Sequence, residues 1–331
     1  MSKKADRIRL SMRLGLLLAC ICTASDSFGQ AQEKGPGRAL QEGLFSLNQI
    51  DLHVHAGKER PLPLQNWIDL FVRDGRRVLL LLDHLELYRM EEKQNRDWVA
   101  KNQFTDWYPD PATAKDDFLK ELSQLNRRDI LLFRGWEIWE GELDEGLEKE
   151  AMRKVEVIGW HFSKAAWQGK APAGRELIFR ARQILAVQKE FPVPMILFHP
   201  FNGHIKAVRE DAKKAGRAPN SIPKAEYRYF TLAQQSELIE LLSGSSVYIE
   251  IERDWAILWN DPVVREAFME DIRPLAAGGI KFTVSTDAHG TRSFQAPFRP
   301  EVYCNDLGIT PENANAIIRE LLAIRAKKSL P

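Results

Sequence analysis

Seven short apolar runs, set between stretches of helical periodicity and a few longer connections, constrain this chain more than any other feature. They lie at 50–54, 78–82, 130–135, 155–160, 195–198, 247–251 and 282–285. They are rich in Val, Ile and Leu, and nearly continuous rather than alternating, as strands covered on both faces are. Helical patterns fall at 64–74, 114–127, 174–190, 232–243, 262–277 and 311–327. Pro311 directly after Thr310 reads as a first-turn proline behind a capping threonine. Strands alternating with helices imply parallel βαβ units, and seven of them imply an α/β fold closed, or nearly closed, into a barrel. No repeat or linker divides the pattern. The 331 residues, 44% of them hydrophobic, suffice for one full core and exclude a disordered chain.

The first 29 residues do not belong to that pattern. Five cations (Lys3, Lys4, Arg7, Arg9, Arg13) precede an apolar run at 14–24, and small and polar residues follow. That order is a secretory signal, so the protein is expected to be exported, periplasmic or secreted. The apolar run is about half the ~20 residues needed to span a bilayer. Leu17-Leu18-Ala19-Cys20 also resembles a lipobox, which would make the product a lipoprotein anchored at Cys20. Residues 30–47 read as an N-terminal linker and 48–328 as the folded domain. The full chain has 47 Lys+Arg, 46 Asp+Glu and a net charge of +1. Removing 1–29 takes away five positive and two negative charges and leaves −2. That balance argues against a nucleic-acid partner, whose binding rests on phosphate neutralisation. Only Cys304 remains in the domain, expected as a buried small hydrophobe.

Two connections are long. Residues 88–113 hold Tyr88, Trp98, Phe104, Trp107 and Tyr108, and read as either a functional rim loop or a satellite hydrophobic cluster. Residues 201–230 hold seven Lys/Arg against three Asp/Glu, and read as either a functional basic loop or a solvated insertion.

Six of the seven histidines sit at or just beyond the C-terminal end of a predicted strand. Asp51-Leu52-His53-Val54-His55 ends the first and Asp83-His84 the second. Gly135-Trp136-Glu137 ends the third, Trp160-His161 the fourth, His199-Pro200 the fifth and Asp287-Ala288-His289 the last. Reactive groups of parallel barrels gather at that rim. One such histidine would be an ordinary structural residue. Six with two carboxylates would be costly to bury together unless something binds them. His53 and His55, two apart on a strand, point to one side, so one ion can take both. Imidazole with carboxylate suits Zn, Mn or Fe. His204 falls outside this pattern, as a surface residue or a support for a ligand.

The ordered set His-x-His, Asp-His, Gly-x-Glu, His, His-Pro and Ser-x-Asp-Ala-His resembles the PHP (polymerase and histidinol phosphatase) superfamily, from about residue 48 to 325. The resemblance implies a distorted (β/α)7 TIM-like barrel of PHP type, with two or three divalent ions in a rim cleft. It implies hydrolysis, most often of phosphate esters, by a metal-bridging hydroxide. Carried over, His53, His55, Glu137 and Asp287 hold the first ion, and Glu137, His161 and His199 the second. His84 and His289 belong to the third. After His-x-His the family often places an Asp or His for that third site; here Ala56-Gly57-Lys58-Glu59-Arg60 offers Glu59, or Arg60 in its stead. Many members carry a His where Glu156 stands; in this chain His161 takes the role. Glu250 and Glu252 look like supports for the ligands. Asp287 or His289 would pass a proton to the leaving group, and Lys58, Arg60, Lys206 and Arg292 are candidate anion clamps. Within that frame the substrate is a small molecule, with a phosphate ester ahead of an ester, carbamate or amide of the kind carbaryl hydrolases cleave. A degenerate, non-catalytic binding barrel is the third reading.

Overall fold

The computed structural model describes residues 44–162, 173–253, 258–295 and 297–328. The signal segment 1–29, the Cys20 lipobox and linker residues 30–43 lie outside them. Strands β1 (Ile50–His55), β2 (Val78–Leu82), β3 (Leu131–Trp139), β4 (Val157–His161), β5 (Met195–Phe198), β6 (Val247–Glu252) and β7 (Lys281–Ser285) pair in chain order, each pair parallel. Every residue of β1, β2, β5 and β6 is buried, which accounts for the continuous apolar runs. The result is a nearly closed seven-stranded α/β barrel of TIM-like type.

The seam between β7 and β1 closes through one residue beyond β7. Ala288 bridges Val54, its N–H donating to the His53 carbonyl at 3.3 Å and its carbonyl accepting from the His55 N–H at 3.2 Å. The same pairing therefore carries the flanking side chains Asp287 and His289 to those of His53 and His55. Asp51 latches the seam as well, accepting from Thr286 N at 2.9 Å and Oγ1 at 2.7 Å. β1 shifts register between Asp51 and Val54, a bulge just where His53 is placed.

Helices α1 (Leu64–Arg73), α2 (Glu92–Asn102), α3 (Ala114–Ser123), α4 (Ala173–Glu190), α5 (Asn202–Lys214), α6 (Leu232–Leu242), α7 (Pro262–Ala277), α8 (Glu301–Leu307) and α9 (Ala316–Lys328) surround the strands. α1 buries Leu64, Trp67, Ile68 and Phe71, an i, i+3, i+4, i+7 stripe. At about 1.5–3 kcal/mol for each fully buried side chain, that stripe outweighs intrinsic propensity. α6 begins at a capping box between Thr231 and Gln234. α7 begins with Asp261 accepting from Val263 N and Val264 N, and Pro262 in its first turn.

The helix expected at 311–327 is interrupted at Asn315, between a single turn (Pro311–Ala314) and α9. The buried Asn315 side chain bonds Phe45 N at 2.9 Å, Phe45 O at 2.6 Å and Pro311 O at 2.7 Å. These bonds tie the first described residues to the segment before α9, and Phe45 and Leu47 are buried, so the packed domain begins ahead of residue 48. Three helices lay hidden from the apolar pattern. α2 is polar almost throughout, α5 lies within the basic stretch, and α8 is two turns long. Cys304 is buried and free, as expected. Among the described residues no helix is long and apolar enough to cross a membrane.

Candidate metal centre

All eight residues assigned as ligands converge at the C-terminal rim. Their placement follows from the ladder. β3 and β4 run on to Trp139 and His161, so Glu137 stands inside β3 rather than beyond its end, because Trp136 and Ile138 extend the apolar pairing. His84 bridges Glu137 across β2 and β3, and the Ala288 seam delivers Asp287 and His289. His199 and Asp287 have φ of 55° and 50°. Left-handed backbone at a non-glycine residue costs about 1–3 kcal/mol and persists where surrounding structure over-determines it.

Four donor atoms face one point. His53 Nε2 lies 3.2 Å from His55 Nε2, 3.0 Å from Glu137 Oε2 and 3.4 Å from Asp287 Oδ1. His55 Nε2 lies 3.1 and 3.3 Å from the same two oxygens. The other Glu137 oxygen, Oε1, faces a second group, 2.6 Å from His161 Nδ1 and 3.6 Å from His199 Nε2. A third group meets at Glu59 Oε2, which is 2.9 Å from His55 Nδ1, 3.2 Å from His289 Nδ1 and 3.6 Å from His84 Nε2. His289 Nε2 also stands 2.9 Å from Asp287 Oδ1.

Carboxylates behind the rings fix which nitrogen faces inward. His53 Nδ1 donates to Glu250 Oε1 at 2.7 Å, and His199 Nδ1 to Glu252. Glu250 is itself held by Ser285 Oγ at 2.6 Å and by His199 N at 2.8 Å. Asp83 Oδ1 lies 3.3 Å from His55 Nδ1 and accepts from His84 N at 3.1 Å. Its Oδ2 accepts from Tyr88 at 2.8 Å and from Lys58 N. In the neutral ring such partners leave Nε2 of His53 and His199 as a lone-pair donor, the tautomer a metal ligand needs.

Buried charge shapes the protonation. Burial opposes the charged form of His53, yet Glu137, Glu250 and Asp287 outweigh it and raise its pKa to about 10. His84 rises to about 9 against burial, chiefly through Glu137. Glu137, despite burial, is held well below the carboxylate range by His84, His53 and His161. Burial pushes Glu252 up in spite of His199.

The residues fit divalent ions. Donor atoms 3.0–3.4 Å apart suit bonds of about 2.0–2.2 Å to a shared ion. Glu59 Oε2 and Asp287 Oδ1 are buried and have only imidazole nitrogens as close partners. Five triads, His53-His55-Glu137, His53-His199-Glu250, His55-Glu59-His84, His55-Asp287-His289 and His84-Glu137-His161, each bring three donor atoms within 4.8 Å of one another.

Several assignments are corrected. Arg60 turns away, donating to Ala56 O, Tyr108 and Glu121 and stacking over Trp107, so it is no anion clamp, and Glu59 takes the position beside His55. Lys58 is buried with its ammonium on Asn95, so it clamps no anion either. Lys206 and Arg292 are exposed. Five of the seven cations in 201–230 are paired with acids, namely Arg209, Lys214, Arg217, Lys224 and Arg228, while Phe201, Ile205, Tyr229 and Phe230 are buried, so this stretch packs on the core and its charge is largely spent in pairs. Tyr88 and Tyr108 pack with Phe118 and Trp136 as a satellite cluster. His204 stands edge-on to Tyr229, away from the ligand triads above. Glu156 pairs with Arg325 in a cleft of about 480 Å³ that none of the eight ligands lines.

Two supports of the cluster were not legible in advance. The Phe198 ring packs 3.8 Å from that of His53. It lies over Gly159, where a Cβ would fall 1.8 Å from it. Asp83 carried a signal, its adjacency to His84, whereas the Gly159–Phe198 contact exists only in the fold.

No family model matches the chain, and no curated protein matches it. Among solved structures it is similar to a Xanthomonas albilineans dihydropteroate synthase in complex with indole-2-carboxylic acid and 6-chloroguanine. Identity is 10%, over 88% of this chain and 98% of that one, with a TM-score of 0.27. A similarity of that size carries no argument about function.

Proposed function

We propose that this chain is an exported, metal-dependent hydrolase of the PHP type, acting on phosphate esters. Glu137 carries the reading, because its two oxygens face two separate imidazole sets and one carboxylate would join two ions. His53, His55, Glu137 and Asp287 would hold the first, Glu137, His161 and His199 the second, and His84, Glu59 and His289 a third. Bound divalent ions supply Lewis acidity and make water a competent nucleophile near neutral pH. Glu250 and Glu252 keep the rings of His53 and His199 oriented. Asp287 and His289, 28% and 36% exposed, form the open side and would move the proton to the departing oxygen. Arg292, exposed three residues after His289, and the exposed Lys206 are the remaining candidates to steady an anionic substrate. The basic, apolar, small order of the first 29 residues supports export.

An ester or carbamate hydrolase on the same residues is the second reading. It gains from the acid pairing of the 201–230 cations, which removes one argument for phosphate. A panel of aryl phosphates, phosphodiesters and aryl esters separates the two by which class is turned over.

Elemental analysis of purified protein should find at least two transition-metal ions per chain. Glu137→Gln should lose metal and lower turnover by more than about 100-fold, beyond the 10–100-fold typical of a group that only orients a ligand. One ion or none in the wild type after reconstitution, or undiminished turnover in the variant, overturns the reading.

A further inference from the structure

The rim beside His161 carries an aromatic side chain that metal binding does not use. β3 continues two residues past Glu137 to Trp139, the register partner of His161 on β4. Side chains alternate along a strand, so Trp139 shares a side with Glu137, one step farther toward solvent and beside His161. Trp139 is 36% exposed, whereas Trp67, Trp136 and Trp160 are fully buried. His161 itself is 29% exposed.

The indole is seated. A Cβ at Gly141 would lie 2.4–2.6 Å from three atoms of its six-membered ring. Gly141 has φ −61° and ψ −24°, a conformation open to any residue. The missing side chain therefore makes room for the ring and answers no demand of the backbone. Of the aromatic residues of 88–113, Tyr88 and Tyr108 are committed to their own cluster, Trp98 packs with Phe104, and Trp107 lies against Arg60. A wide, rigid, half-exposed indole beside the open face of a polar site suits a flat apolar group.

We propose that Trp139, seated on Gly141, walls a subsite for a planar aromatic group, so that the substrate is an aryl ester, cleaved between the anionic centre at the cluster and the aryl group on the indole. The proposal rests on the metal-hydrolase reading for the position of the anionic centre.

Calorimetric titration of the ion-loaded protein with two pairs of non-hydrolysed anions tests it: phenylphosphonate with methylphosphonate, and benzoate with acetate. In the wild type the aryl member of at least one pair should bind about 10-fold more tightly. Trp139→Ala and Gly141→Ala should each reduce that advantage to about twofold or less, with metal content and the affinity of the small partner unchanged. Trp139→Phe should keep most of it. If benzoate shows the Trp139-dependent advantage and neither phosphonate binds, the phosphate-ester reading falls and the subsite stands. No aryl advantage in the wild type, no binding of any of the four anions, or an advantage that survives Trp139→Ala overturns the proposal.

Discussion

His55 Nδ1 has two carboxylates within reach, and their surroundings give them different work. Asp83 is fixed from several sides, by Tyr88, by Lys58 N and by His84 N, so it suits holding a ring in place. Glu59 Oε2 has only imidazoles around it, those of His55, His289 and His84. Burial would raise the Glu59 pKa, but His55 and His289 hold it far below the carboxylate range. Its oxygen is thus a charged donor, paired only with imidazoles, that a cation could share, whereas Asp83 is already held by the Tyr88 hydroxyl and two backbone N–H groups. Glu59→Gln should therefore lower metal content by about one ion per chain while the ions held through Glu137 stay bound. Elemental analysis of wild type and variant side by side checks this. Loss of every ion would mean that Glu59 supports the whole cage.

At the scale of elements, the strands and the longest apolar-faced helices were legible because burial writes itself into sequence as periodicity. The rim cluster was legible because seven parallel strands end on the same side, so residues at strand ends must meet. What stayed hidden depends on contacts between distant segments. Nothing local marks Arg60 as a strut between Ala56 and Glu121, Gly159 as the seat of Phe198, or the polar α2 as a helix. Glu156 is another example, for its role was set by α9. It binds Arg325 at 2.6 and 2.8 Å and fastens α9 to the start of β4. Burial acts to raise the Glu156 pKa, but Arg325 and Arg134 lower it below its ordinary 4.5. A depressed carboxylate contributes stability above its unfolded pKa and loses it as pH falls through the folded value. Because Arg325 is 38% exposed, solvent screens the pair, and Glu156→Gln should cost only about 1 kcal/mol at pH 7. Urea midpoints should show that gap shrinking toward pH 4. A gap that does not change with pH would remove the charge from the explanation.

For the whole molecule, the cluster is both the candidate site and a stress at the C-terminal rim of the barrel. Eight ligands with Glu59, Glu250 and Glu252 crowd a space that would otherwise be apolar, and without ions they must neutralise one another through protons. His53 and His84, with pKa values of about 10 and 9, are the clearest holders of those protons. A histidine pKa raised in the folded state contributes stability that is fully present below its ordinary 6.5 and is lost as pH rises through the folded value. Chelated protein should therefore lose stability between about pH 6.5 and 10. Ions replace the protons and need neutral imidazoles, so their hold strengthens over the same range. At ion concentrations about 1,000 times Kd the gain is about 4 kcal/mol, on the order of 10 °C in Tm. Scanning calorimetry of loaded and chelated protein should show a Tm gap that widens from pH 6.5 to 9. The same scans on Glu137→Gln should show almost none. A wild-type gap that stays constant with pH would mean that ions and protons do not compete for these rings, and that the cluster is held together by its carboxylates alone.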